Sequence, residues 1–367
     1  MITRSAIVNA FVRPRTLGAA TASVLALLSV GLLDLIVGQS LGTTYRTLWD
    51  GSLANSASLG ITITSSLPYA LTGIAFAVGF RAGAFNLGLE GQLLWGALAA
   101  AIVGSQVNAP GVVVIPCALI AAMVAGGLWA LLPAVLRVVR GVNEIVSSLF
   151  LNYVTSFLVS WLIAGPLRAP GALSASTDQI RTQAQLPVLF SGTTITIGIL
   201  IVISVAFLFW LGMTRTPAGY EIQTVGSNRA AAEYAGISTS RVFIRSFVIS
   251  GALGGLAGAI EVLGNQHAVA AGFSSNWGYF GIAVALIGGT SGLGCLAAAL
   301  LFGILSAGGQ QIQLVLGVDA DFIQAAQAIA LVCFIGGVAG TAQIRVALAA
   351  AHRRAVAIGA PTPEDQR

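Results

Sequence analysis

Between residues 17 and 344 the chain repeats one pattern, a run of roughly twenty apolar residues followed by a short polar break. A helix of that length crosses the ~30 Å hydrocarbon core of a bilayer at ~1.5 Å per residue. Ten spans follow: residues 17–37, 59–80, 85–104, 112–132, 145–163, 193–212, 242–263, 279–289, 295–316 and 322–344. Only 8% of residues are charged and the mean hydropathy is +0.91, which leaves too little polar surface for a soluble globule. The expectation is an all-α, polytopic membrane protein.

The charges that remain report orientation. The net charge of +5 comes from 17 basic residues, every one an arginine. With the N terminus inside, fourteen lie on the inner side, and only Arg46, Arg168 and Arg181 lie outside. That bias follows the positive-inside rule and puts both termini in the cytoplasm. Arginines spread along span ends also argue against a nucleic-acid partner. A chain without lysine has no Walker A loop and no Schiff-base chemistry. Cys117, Cys295 and Cys333 lie far apart in apolar runs, and His267 and His352 are isolated, so neither a metal site nor a catalytic group is expected. The run at 17–37 follows Arg4, Arg13 and Arg15 but is too long for a signal peptide, so it is read as a retained first helix.

The implied organisation is an N-terminal helix and external loop (1–57), a transmembrane domain (58–345) with a cytoplasmic loop at 213–241, and a cytoplasmic tail (346–367). Residues 165–191 suit a partner-facing external loop. The span at 279–289 is short and runs into GGTSGLG, which suggests a re-entrant or tilted pair. Spans two to five and seven to ten each hold a Gly-interrupted polar segment, at 83–92 and 272–294. That is the pattern of an inverted repeat with broken helices beside a translocation path.

Two stretches carry chemistry. The first is residues 214–245, TRTPAGYEIQTVGSNRAAAEYAGISTSRVFIR, whose four arginines and two glutamates keep it at the membrane surface. Within it Asn228 precedes an Ala-rich turn that stops at Gly236, a cap, a short helix and a terminator. The second is NLGLEGQ. Four-residue spacing puts Asn86 and Glu90 on one helix face, with Gly88, Gln92 and Trp95 adjoining. A carboxylate at bilayer depth costs roughly 2.5–3.5 kcal/mol on insertion scales. Glu90 therefore either points inward, to pair with an arginine or line a path, or lies shallow enough to pair with Arg81.

The first stretch resembles the cytoplasmic coupling segment of bacterial ABC-importer permeases of the branched-chain amino acid, ribose and nucleoside class. NLGLEGQ, with GVNEIVSSLFLNY at 141–153, is similar to their nucleoside and simple-sugar branch. The resemblance implies an ATP-driven importer subunit in a bacterial plasma membrane, with no enzymatic activity and no cofactor of its own. ATP and Mg would act on a partner ATPase, alongside a second homologous permease and a substrate-binding lipoprotein. The implied coupling residues are Pro217, Gly219, Tyr220, Glu221, Asn228, Ala231, Glu233, Ala235 and Gly236. Asn86, Glu90, Gln92, Trp95, Asn143, Glu144, Asn152, Tyr153 and Glu261 are the candidates for the substrate path. Asn152 and Tyr153 equally suit hydrogen bonding between helices, and Glu261 could line the external mouth or touch the delivery protein. The pairs Gly251/Gly255 and Gly254/Gly258 signal close helix packing. LSAGGQ at 305–310 imitates an ATPase signature by chance, since it lies in a hydrophobic run. The rival reading is an ion-coupled secondary transporter of a small polar solute, which would run without an ATPase.

Overall fold

The computed structural model describes residues 40–318 and, beyond them, 324, 325, 328, 329 and 332. The chain divides into a unit at Ser40–Gln324 and a second made of Met1–Gln39 with Ala325–Arg367; the first is described below. The expected first span, both chain termini, the tail at 346–367 and all but isolated positions of the last span lie outside the described residues.

Eleven helices make up the first unit among those residues: α1 Leu41–Ser52, α2 Ser56–Arg81, α3 Leu89–Gln106, α4 Gly111–Arg140, α5 Glu144–Ala164, α6 Gly198–Arg215, α7 Pro217–Ser227, α8 Arg229–Tyr234, α9 Thr239–Glu261, α10 Trp277–Ile287 and α11 Gly292–Leu316. A π turn, Val262–Gln266, extends α9. The described residues contain no strand, only two isolated bridges. Six helices are long and apolar enough to cross a bilayer: α2, α4, α5, α6, α9 with its π turn, and α11. α3 opens on the polar Glu90 and Gln92, while α10, at 11 residues, reaches only about 16 Å. Each follows a non-helical stretch, residues 82–88 before α3 and 267–276 before α10. The short span and Gly-rich break expected near 279–294 are therefore real, and a second broken helix stands at α3, shorter at its start than the 85–104 anticipated.

Burial separates centre from rim. In α2, 83% of the most apolar stretch is buried, against 22% in α5, whose outward face carries Phe150, Phe157 and Trp161. α9 runs through the middle, packing Phe243 and Phe247 against Ala130 and Ala134 of α4 and closing on its neighbours through glycines further along. A Cβ on Gly255 would stand 2.1 Å from the Ala122 carbonyl of α4, and one on Gly258 would stand 2.1 Å from the Leu93 carbonyl of α3. Gly251, Gly255 and Gly258 thus serve contact between backbones, while Gly254 makes room for the Leu89 and Gln92 side chains of α3; close approach of this kind is how helices associate where lipid removes the hydrophobic drive between them.

Two regions are more ordered than expected. α1, assigned to a loop from sequence, is capped by Ser40 and lies against α11, where a Cβ on Gly308 would meet Leu48 at 2.7 Å. Residues 165–191 are pinned down by the amides of Thr177, Ile180 and Leu186, which donate to the carbonyls of Val269, His267 and Leu263 at 2.9, 2.9 and 2.8 Å. Arg181 sits at this end and donates to the Ser105 carbonyl. At the other end Arg81 donates to the Thr290 carbonyl, and Arg137 pairs with Glu144 at 3.2 Å.

Candidate functional site

A cavity of about 450 Å³ lies between α3, α5, the start of α10 and residues 269–276. α5 contributes one helical face, Leu149, Asn152, Tyr153, Ser156, Ser160 and Ile163, at spacings of three and four that keep side chains on one side. Glu90 and Leu94 come from α3, Tyr279 from α10. Hydroxyls, two amides and one carboxyl alternate with apolar groups, and no arginine or histidine lines the space. Its size and its few convergent polar groups are those of a small-molecule site.

The inner wall is held by caps supplied across the bundle. α3 begins at Gly88, which has no side chain to cap with, and α10 begins at Asn276, whose side chain makes no cap bond and instead donates to Gln324. Glu90 Oε2 accepts the Gly278 amide of α10 at 2.8 Å. Asn152 Oδ1 accepts the Gly91 amide of α3 at 2.9 Å, and its Nδ2 donates to the Leu87 carbonyl at 2.7 Å and to the Tyr279 hydroxyl at 3.1 Å. First-turn amides, left without partners inside a helix, are thereby satisfied by other elements. Glu90 lines the cavity, is 8% exposed, and accepts its hydrogen bond from a backbone amide.

The other path candidates separate. Asn86 precedes α3, so it does not share a helix face with Glu90; it exchanges hydrogen bonds with Gln92 at 2.9 and 3.1 Å and donates to Ser250 of α9. This network lies behind the cavity wall. Trp95 packs against Trp129 at a tilt, with centroids 5.2 Å apart, and does not line the cavity. Glu261 is 2% exposed and accepts from Asn265 at 2.6 Å and Gln266 at 3.2 Å, so it is sealed in the π turn instead of facing an outer mouth. Asn143 caps α5 and Glu144 pairs with Arg137, both at the arginine-rich end and away from the cavity.

At that end, residues 213–241 are two helices where one was expected. Thr216 accepts the Gly219 amide and Pro217 fills the first position of α7. Gly219 lets α7 press on α6, since a Cβ there would stand 2.2 Å from the Gly212 carbonyl. α8 is built as the sequence indicated: Asn228 Oδ1 accepts the Ala231 amide at 3.0 Å, Ala235 is the C-cap, and Gly236 takes φ +81°. Glu221 pairs with Arg245 at 3.6 Å. The Thr239 hydroxyl at 2.7 Å and the Arg229 guanidinium at 3.2 Å hold the Glu233 carboxyl below the usual carboxylate range. Tyr220 and Tyr234 project outward, 67% and 98% exposed.

Residues 58–338 match the family described as branched-chain amino acid transport system / permease component. The chain belongs to this permease family. It is 35% identical to the guanosine ABC transporter permease protein NupP of Bacillus subtilis, over 82% of this chain and 88% of that one. It is 33% identical to the glucose ABC transporter permease protein TsgB13 of Haloferax volcanii, over 87% of each. With the nucleoside ABC transporter permease protein NupB of Lactococcus lactis it shares 34% identity, over 72% of this chain and 75% of the other. The permease is accordingly a multi-pass transmembrane subunit of an ABC importer, a transport component and not an enzyme, and this sets the ion-coupled alternative aside.

Four residues in or behind the wall of the permease's cavity were missed from sequence. Ser156 and Ser160 continue the Asn152 face at four-residue steps, a signal that was available. Tyr279 and Gly278 carried none, because their partners lie more than a hundred residues away.

Proposed function

We propose that this permease carries nucleosides, with simple sugars as the second class, through the cavity between α3, α5 and α10. The observation that carries the reading is a space at the meeting point of two broken helices, lined by one carboxyl and by no arginine or histidine, large enough for a small ligand and furnished with groups that both donate and accept. Glu90, Asn152 and Tyr153 face the solute, with the Tyr153 and Tyr279 rings available to a base. Asn86 and Gln92 stiffen the wall behind. The names of three relatives, for guanosine, nucleoside and glucose permeases, support the same classes.

The partners are a second homologous permease, an ABC ATPase that binds ATP and Mg, and a substrate-binding lipoprotein, all at a bacterial plasma membrane. α7 and α8 receive the ATPase through Pro217, Gly219, Tyr220, Glu221, Asn228, Ala231, Glu233, Ala235 and Gly236, a reading supported by the exposure of all but the buried Gly219 and the half-buried Glu221 at the arginine-rich end. That end is cytoplasmic by the positive-inside rule, as are both termini of a ten-span chain. The two non-helical segments, each followed by a helix, support an inverted repeat. The transmembrane domain at 58–345 contains the family match at 58–338.

The test is reconstitution of the assembled importer in proteoliposomes. ATP-dependent uptake of labelled guanosine, exceeding that of glucose, is expected. Uptake driven by an ion gradient without ATP, or no uptake of either solute, would contradict the reading.

A further inference from the structure

The inner polar groups on the cavity wall are already engaged by the protein. Both ends of the Asn152 amide serve α3 and Tyr279, and Glu90 accepts the Gly278 amide. Ser156 and Ser160 are different. Both line the space from α5, both are exposed, and among the described residues neither hydroxyl has a hydrogen-bond partner. Serine and threonine on an apolar helix commonly donate to the carbonyl three or four residues back. Ser147, Ser148 and Thr155 of the same helix do so at 3.4, 3.2 and 2.8 Å, and Ser204 of α6 does so at 2.7 Å. The two cavity serines thus keep a donor and acceptors each for what enters the space.

We infer that Ser156 and Ser160 are specificity-determining residues that bind two adjacent ring hydroxyls of the solute, the vicinal diol that a ribonucleoside and a simple sugar share. The inference deepens the proposed function and rests on it for the solute class. Four-residue spacing stacks the two serines on one helix face with Cβ atoms ~5–6 Å apart. Adjacent hydroxyls on one ring, placed between them, reach one serine each over the ~2.8 Å of an O–H···O bond. The serines stand one and two turns beyond Asn152 on α5, so a ring held there leaves a base free to lie beside Tyr153 and Tyr279. A hydroxyl finds a partner at each serine, whereas a deoxy position leaves that serine unpaired.

The test uses the assembled permease–ATPase complex in nanodiscs, so that the lipoprotein's own selectivity does not enter. The probes are guanosine, 2′,3′-dideoxyguanosine, which lacks the diol, and glucose. The wild type should bind guanosine at least about tenfold tighter than the dideoxy form, since two hydrogen bonds are lost. Ser156→Ala and Ser160→Ala should each weaken guanosine binding about three- to tenfold and leave the dideoxy affinity within about twofold. The double variant should bind the two nucleosides alike. Ser204→Ala, whose hydroxyl is spent within α6, should keep the wild-type ratio. Alanine is the better helix former, so the variants should fold, and the wild-type ratio needs no variant at all. A wild-type ratio near one, or a ratio that survives in the double variant, overturns the diol pair and leaves nucleoside cargo standing. Equal weakening of both nucleosides by the single variants also overturns it, because it marks a structural role. If the wild type binds glucose but not guanosine, the order of cargo reverses; loss of glucose affinity in the double variant then upholds the pair, and unchanged affinity overturns it. Binding of neither solute overturns the cargo reading and the pair together.

Discussion

Asn152 joins three elements with a single amide, accepting from α3 and donating to the Leu87 carbonyl and to Tyr279 of α10. An aspartate there keeps the acceptor for Gly91 but turns the donor 2.7 Å from the Leu87 carbonyl into a second acceptor. Buried polar groups left without partners cost about 1–3 kcal/mol each. Asn152→Asp should therefore lower the thermal midpoint of the purified permease and depress ATP-driven uptake, while Asn152→Ser, smaller but still able to donate, should lose less. Equal losses in the two variants, by thermal size-exclusion and transport assays, would count against the bridging role. The sequence marked Asn152 as polar at membrane depth and left open whether it serves ligand or helix. In the structure it caps α3 from a position that also borders the cavity.

At the scale of elements, the α9 crossings depend on absent side chains. Gly255→Val puts carbon 2.1 Å from the Ala122 carbonyl, so α9 has to leave α4 and α3. Gly127→Ala, on α4 of the same pair, meets Val248 at 3.5 Å, an ordinary contact. The first should abolish recovery of folded protein. The second should be neutral or stabilising by about 0.5–1 kcal/mol from helix propensity, as read from the thermal midpoints of the pair. α8 is a different case, a six-residue helix tied down by Glu233. Its carboxyl titrates below the ordinary value, so the Thr239 and Arg229 tether is fully present above the unfolded glutamate pKa and is lost as pH falls through the lowered one. A spin label at Ala230→Cys should be immobile at neutral pH and loosen only in that acidic window. Loosening as pH rises from neutral would be the wrong sign.

Across the whole molecule, α7 comes closest to the end of α2 at a glycine. A Cβ on Gly226 would stand 2.0 Å from the Arg81 carbonyl, at the end of α2 where the chain turns into residues 82–88 and then α3. Displacement of α7 thus bears directly on the segment that carries Glu90. Gly226→Ala should leave the ATPase of the assembled complex running while uptake per ATP hydrolysed falls several-fold. If uptake and hydrolysis fall together, the contact is structural and the coupling runs elsewhere.

What the sequence determined by itself is what neighbours in the chain decide: apolar runs long enough to span, arginines at their ends, glycine pairs on one face of α9, and the Asn228 cap and Gly236 stop of α8, each written within a few residues. α7 escaped notice because its cap and Pro217 lie inside an interval judged by its charge. Glu261 misled because helical rise gives height along the membrane but not what surrounds a side chain. The tertiary structure alone decided that Asn86 turns to Gln92 while Glu90 turns to Gly278, 188 residues away. A broken helix takes its cap from whichever element packs beside it, and no local pattern in the chain records that neighbour.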